Sequence, residues 1–416
     1  MSPSVCSTPL PLPSQVPRMP NLPWELILDI LSRLPATSLL RFRCVSKPWR
    51  SLIDSPDFVQ MHLRQSQKAA GTTNRSLILG FLGIYSIDLD SLDCARPLRP
   101  PFSSSDVSNS CNGLVLLLGQ NQTPFLWNPC TRKYKTLPDS PHEYPPPGIP
   151  VDYNALYKRY GFGYVAQDDD YKVLRVVEFR SPDSTWIGSE AKIYSLKTNS
   201  WRRVDHYPFP LPRIRGWGVH VNGAVHTVLS LDNYYQEIVA FDLRTEKHYT
   251  IPKPDLLLEN VELSVDEMAG CLCLLVRKKR RINIWIMKEY HVKSSWTKLL
   301  SIAPPLIDEH CSLISPLAYS RRGDEVLLNC DDEKLVWYDL MRKTTRDVDV
   351  QGLPFRFYAE FFVGSLLPLE NGCRGGGGGE DEIGITRRAT RQKNTKVNDT
   401  RKKRDDFLSK GFKLVL

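Results

Sequence analysis

The stretch LPWELILDILSRLP, residues 22–35, decides how the amino-terminal part of this 416-residue chain is read. At about 100° per residue, Ile27, Ile30, Leu31 and Leu34 recur at i, i+3, i+4, i+7, which predicts an amphipathic helix stopped by Pro35. Trp24, Leu26 and Leu28 widen its apolar surface to roughly 200°, whereas a surface helix needs a stripe only somewhat over 100° wide. Glu25, Asp29, Ser32 and Arg33 share the remainder. One apolar face packs on its own chain, and the other asks for a second cover.

The next residues keep helical punctuation. Thr37 or Ser38 is expected to cap a helix carrying Leu39, Leu40, Phe42 and Val45. Ser46 is expected to cap a third, with Pro48 in its first turn and Trp49, Leu52 and Ile53 on one side; SPDF at 55–58 opens a further short helix. Some forty residues cannot exclude water from so many large apolar side chains, so the module is expected to expose an interaction patch.

Bulk composition narrows the rest. The hydrophobic content of 41% suits a folded protein with a sizeable core, and 17 Tyr with 9 Trp lean towards strands. No apolar run approaches the eighteen or so residues of a membrane span. Residues 1–18 lack a signal-peptide layout and are expected to be a disordered leader. The ten cysteines are scattered without paired CxxC motifs, which suits a reducing compartment and excludes a RING-type zinc module. The net charge of +9 resides in the tail: from Arg387 onward eleven Lys and Arg face three Asp, leaving about +1 for the remainder. A folded nucleic-acid binder would carry its basic patch on the body.

A phrase then repeats. FLWNPCTRKYKTLP at 125–138 returns as KIYSLKTNSWRRV at 192–204, IVAFDLRTEKHYTIP at 238–252, IWIMKEYHVKSSWTKL at 284–299 and LVWYDLMRKTTRDV at 335–348, with a weaker copy from Ile84. Each is an apolar strand, a polar turn and a second strand, and most come after a Gly-led strand such as NGLVLLL from Asn112 or NGAVHTVL from Asn222. Between Trp127, Tyr194, Phe241, Trp285 and Tyr338 the steps are 67, 47, 44 and 53 residues. Such periods predict a β-propeller, in which radial stacking buries the sheet faces that a lone sheet would expose. The long first step carries the insert EYPPPGIP and the turn QDDDYK.

The run LPWELILDILSRLPATSLLRFRCVSKPWRSLI resembles an F-box through Leu22-Pro23, Leu34-Pro35, Leu39, Arg43 to Lys47, and Trp49. SCNGLVLL, LWNPCTRKYKTLP, YGFGY with DDYKVLRVV, and IYSLKTNSWRRV resemble the type 1 F-box-associated domain of plant F-box proteins, a relative of kelch propellers, over roughly 300 residues. The expected fold is therefore α+β and multidomain: an F-box at 19–65, a mostly-β, kelch-like propeller at 66–370, and a Gly-rich linker with a basic tail at 371–416. The resemblance implies that Leu22, Pro23, Leu26, Ile30, Leu34, Pro35, Leu39, Val45 and Trp49 bind the Skp-family adaptor of an SCF (Skp, cullin, F-box) ubiquitin ligase. It further implies that the propeller holds a protein substrate. RKKRDDFLSKGFKLVL and IWIMKEYHVKSSWTKL resemble a member of that family that restrains plant defence, which implies turnover of immune components, plant immune receptors among them.

Substrate contacts are expected in loops at one end of the propeller channel, where Trp186, Arg213, Arg215 and Trp217 fall. Arg387-Arg388 and Arg401-Lys402-Lys403-Arg404 have the layout of a bipartite nuclear-localisation signal, so residence in cytoplasm and nucleus is expected. Cys271 and Cys273 share a strand face and read as core thiols; with His310-Cys311 they would make a metal site only if the chain converged there. Asp168-Asp169-Asp170 reads as a solvated turn, and HExxH, GxSxG, P-loop and Rossmann signatures are missing from the sequence. The expectation is a non-catalytic adaptor without cofactor. The rival readings are a non-ligase scaffold or transcriptional regulator working through propeller and basic tail, and a propeller enzyme.

Overall fold

The computed structural model describes residues 23–369 except 68–74, 103–105, 120–121, 146–147, 154–155, 206, 208, 210–217, 231–235, 255–260, 305, 307–310 and 312. Four helices come first: α1 (Trp24–Ser32), α2 (Ala36–Phe42), α3 (Lys47–Ile53) and α4 (Pro56–Gln67). Pro35 stands before α2 without a side-chain cap, so neither Thr37 nor Ser38 takes the capping role expected of them. Proline presets the backbone for the turn into the helix and has no N–H to satisfy. Ser46 does cap α3, its Oγ accepting from the Trp49 N–H at 3.3 Å. The segment opened by SPDF is α4, twelve residues long, and it bridges the helical module to the sheets.

Among the described residues, twenty-four strands form six four-stranded antiparallel sheets. The first blade is β4 (Asp106–Cys111), β5 (Leu114–Leu118), β6 (Pro124–Asn128) and β7 (Lys133–Thr136). The second is β8 (Tyr157–Val165), β9 (Asp170–Arg180), β10 (Trp186–Ser195) and β11 (Ser200–Arg203). The third is β12 (Val219–Val221), β13 (Ala224–Ser230), β14 (Gln236–Asp242) and β15 (His248–Ile251). The fourth is β16 (Glu262–Met268), β17 (Cys271–Lys278), β18 (Arg281–Met287) and β19 (Trp296–Ile302). The fifth is β20 (Ile314–Tyr319), β21 (Glu325–Cys330), β22 (Lys334–Asp339) and β23 (Thr345–Val348). The sixth joins β24 (Tyr358–Val363) to β1 (Arg75–Gly80), β2 (Ile84–Asp88) and β3 (Arg96–Leu98).

The repeated phrase marks the two outer strands of each blade, and the Gly-led strand lies inside them. β24 pairs with β1 in register from Arg75↔Val363 to Gly80↔Tyr358, so the ring is closed by strands from opposite ends of the propeller segment. That closure removes the free edge a linear array would leave. Apolar layers between neighbouring blades form the core, for example Val173, Leu174, Val176 and Val177 of β9, all fully buried.

The insert of the first long step starts as a strap over the second blade. Trp201 Nε1 donates to the Pro138 carbonyl at 2.8 Å, Lys192 Nζ to the Pro141 carbonyl at 2.8 Å, and the Glu143 N–H to Glu190 at 2.7 Å. The QDDDYK turn is less solvated than expected. Asp170 is buried and accepts from Ser195 Oγ at 2.6 Å and the Lys197 N–H at 2.9 Å.

Candidate adaptor-docking surface

The two faces of α1 separate cleanly. Leu31 is buried in a cluster with Ala36, Leu39, Ile53, Phe58 and Leu63, and propeller residues Leu116, Leu126 and Leu366 belong to the same cluster. On the other side Leu26 and Ile30 are each 51% exposed, Trp24 is 44% exposed and Val45, beyond α2, is 62% exposed. Pro23 is exposed, while Leu34, Pro35 and Trp49 are half-buried at the border. Uncovered apolar side chains gathered on so small a module form an interaction surface.

Leu39 departs from its expected place. It is 0% exposed, beneath the docking face rather than on it. Its position in α2 turns it towards α1 and α4, and a buried leucine there holds the helices that carry the exposed side chains. The Phe42 and Trp49 rings meet edge to face at 5.7 Å and tie α2 to α3. Arg43 pairs with Asp54 at 2.7 Å, and Arg33 with Asp29 at 2.9 Å, so the rim of the surface is charged.

Beneath it, α4 fixes the Leu34–Pro35 step. The His62 ring is fully buried, and its Nε2 lies 2.9 Å from the Leu34 carbonyl oxygen. Burial holds the imidazole below its usual pKa, so the neutral ring donates to that carbonyl. At its far end α4 reaches the propeller, where Gln67 Nε2 donates to Asn112 Oδ1 at 2.7 Å in the β4–β5 turn.

That turn lies at one end of the propeller, with the other turns that come after inner strands. The opposite end holds the turns between the middle strands and the connections between blades. Trp186, at the start of β10, is exposed there. Exposed Leu82, Tyr153, Tyr157, Phe355 and Tyr358 accompany it, and Arg159 stacks over the Tyr157 ring at 4.8 Å. Leu82, Tyr153 and Phe355 lie in connections, which have no apolar period, and Tyr157 and Tyr358 open strands at points where the alternation has not begun. Leu22, Arg213, Arg215 and Trp217 lie outside the described residues, as do Arg387, Arg388, Arg401, Lys402, Lys403 and Arg404. Cys273 is buried in the fourth blade and Cys271 half-buried, while His310 lies outside the described residues.

Comparison with known proteins bears on both parts of the chain. The family profile described as F-box domain matches residues 19–61, and that described as F-box associated beta propeller domain matches residues 85–360. The F-box protein CPR1 of Arabidopsis thaliana is 35% identical over 426 residues, covering 96% of this chain and 100% of that protein. The Arabidopsis F-box protein At4g22390 is 32% identical, with 96% and 100% covered. Among solved structures, the oligogalacturonate lyase of Vibrio parahaemolyticus aligns at a TM-score of 0.38 and 10% identity over 64% of this chain and 70% of that one, too distant to carry an argument.

Proposed function

The chain belongs to the F-box proteins that carry an F-box associated β-propeller domain, and from that premise we propose that it restrains plant defence signalling by presenting immune components for ubiquitination. An F-box joined to a propeller is the layout of a substrate-recognition adaptor of an SCF-type ubiquitin ligase. The F-box binds a Skp-family adaptor, and the propeller binds a protein substrate. In our reading the docking face consists of Trp24, Leu26, Ile30 and Val45, bordered by Pro23, Leu34, Pro35 and Trp49. The far end of the propeller, with Trp186 and the other exposed aromatics of that end, receives the substrate.

Such an adaptor accelerates transfer by proximity. Tethering raises the effective concentration of substrate lysines beside a charged ubiquitin-conjugating enzyme, and the bond-making chemistry belongs to other subunits. The likeness to the F-box protein CPR1, over 96% of this chain and 100% of that protein, supports the adaptor reading. The observation that carries the defence assignment is the resemblance of RKKRDDFLSKGFKLVL and IWIMKEYHVKSSWTKL to a family member that restrains plant defence. The basic tail supports residence in the nucleus as well as the cytoplasm.

The test compares plant cells expressing the full chain with cells expressing a chain that lacks the F-box. Immune receptors or their signalling partners are expected to accumulate, bound to the shortened chain. Accumulation of unrelated proteins alone would refute the defence role while leaving the adaptor role in place.

A further inference from the structure

The hairpin joining β17 to β18 reads Arg277-Lys278-Lys279-Arg280-Arg281. Lys278 pairs across the strands with Arg281, so Lys279 and Arg280 form a two-residue turn. The last four residues are exposed. Lys279 has φ 54°, the left-handed region that L side chains adopt reluctantly. The same conformation recurs at turn residues of the other blades, for example Asn112, Asn222, Asp331 and Lys343 at φ 53°, 52°, 52° and 56°, so it belongs to the propeller's tight turns in general. What distinguishes this turn is its charge, five consecutive cations from Arg277 to Arg281.

The charge is only partly answered. Arg277 Nε meets Glu262 at 2.9 Å, and Arg281 donates to Ser301 Oγ at 3.1 Å. Among the described residues no carboxylate pairs with Lys278 or Lys279. Like charges directly opposite each other weaken a hairpin. Electrostatics therefore runs against local stability at this tip, and a cost of that kind marks a candidate functional position.

We propose that the Lys278–Arg281 hairpin receives an acidic segment of the protein substrate. This deepens the reading of the propeller as the substrate-binding part, on which it rests. The hairpin lies at the end opposite the α4 contact with Asn112, so a segment captured there leaves the docking face free. Exposed cations on a rigid sheet steer an anionic partner over about a Debye length and fix its register. A short acidic peptide fits better than a nucleic acid. At the same end, the neighbouring β21–β22 turn carries Asp331, Asp332 and Glu333, so the cationic surface is confined to the one hairpin, enough for a few carboxylates and too short for an extended phosphate backbone.

The experiment uses the full-length protein and three fluorescein-labelled probes: a short peptide of alternating Glu and Ser, its Lys-for-Glu counterpart, and a mixed-sequence DNA duplex. Fluorescence anisotropy is read from about 0.05 to about 0.5 M salt, across which the Debye length shrinks severalfold. The acidic peptide is expected to bind in preference to the other two and to weaken as salt rises. The Lys278→Ser, Lys279→Gly double variant is expected to bind it about tenfold more weakly, with an equal or higher Tm, since glycine suits the turn. No preference for the acidic peptide, unchanged binding by the double variant, or tighter binding of the duplex would each overturn the proposal. Capture of a Skp-family adaptor by the same preparations is scored separately, so a failure here is distinct from failure of the adaptor reading.

Discussion

His62 of α4 donates through Nε2 to the carbonyl oxygen of Leu34 at 2.9 Å, linking the last helix of the F-box module to the turn that bounds its docking face. Leucine at position 62 would fill similar space and leave that carbonyl without its donor, at a cost of about 1–3 kcal/mol. His62→Leu is expected to lower stability by that amount and to weaken adaptor binding, because the Leu34–Pro35 step is freed. Denaturant unfolding and calorimetric titration with a purified Skp-family protein measure the two effects. An unchanged adaptor affinity would mean that the turn is held without His62.

Close packing of the second and third blades gives a second prediction. A Cβ on Gly163 of β8 would stand 2.0 Å from His220 Cδ2 of β12. Gly163→Ala is expected to destabilise the propeller by about 2 kcal/mol or more, as overpacking does. Gly270→Ala meets no atom within 4 Å and carries only the strain of its φ of 80°, so about 1 kcal/mol is expected. Equal losses in the two variants would mean that the blades separate more readily than the packing indicates.

The pH dependence of stability has two limbs. His226 is fully buried between Val219 and Tyr290, and burial pushes it down to about 4; His220 is likewise pushed down to about 4 by burial. Both folded values lie below the ordinary 6.5, so the folded state binds fewer protons there. Their contribution is complete above pH 6.5 and is lost as pH falls towards 4. Glu360 behaves in the opposite sense. Burial, then the negative charges of Asp266 and Glu267, raise it to about 8 from 4.5. Its contribution is complete below pH 4.5 and is lost as pH rises towards 8. Tm is therefore expected to peak near pH 6.5, and Glu360→Gln should flatten the alkaline limb only. A variant whose Tm still fell between pH 6.5 and 8 as in the parent would contradict the assignment.

The sequence made the architecture legible where a period was local. The i, i+3, i+4, i+7 spacing of Ile27, Ile30, Leu31 and Leu34 reports a helix regardless of its neighbours, and the returning phrase reports β-hairpins. Long-range contacts were harder to read. Leu39 shares the spacing of a surface residue, and only its packing against α1 and α4 shows that it lies underneath. Blade number was hidden because the sixth sheet takes β24 from one end of the segment and β1 to β3 from the other. Leu82 and Phe355 gave no signal, since a connection between strands has no period. The Arg277–Arg281 run is lost in a near-neutral body when charge is summed over the chain, and the pairing of Lys278 with Arg281 shows that it is a projecting tip.

An uncovered apolar face on a correctly folded F-box is the centre of the account, and adaptor binding by two matched variants measures it. In Leu26→Asp, Ile30→Asp the changes fall on side chains that are each 51% exposed. Titration against a purified Skp-family adaptor is expected to show an affinity loss of about 100-fold or more, with the Tm of the parent. Leu39→Asp buries a carboxylate in the helical core and should lower Tm as well as binding. Parent-like affinity in the Leu26, Ile30 double variant, or a parent protein that does not bind the adaptor, would contradict the account.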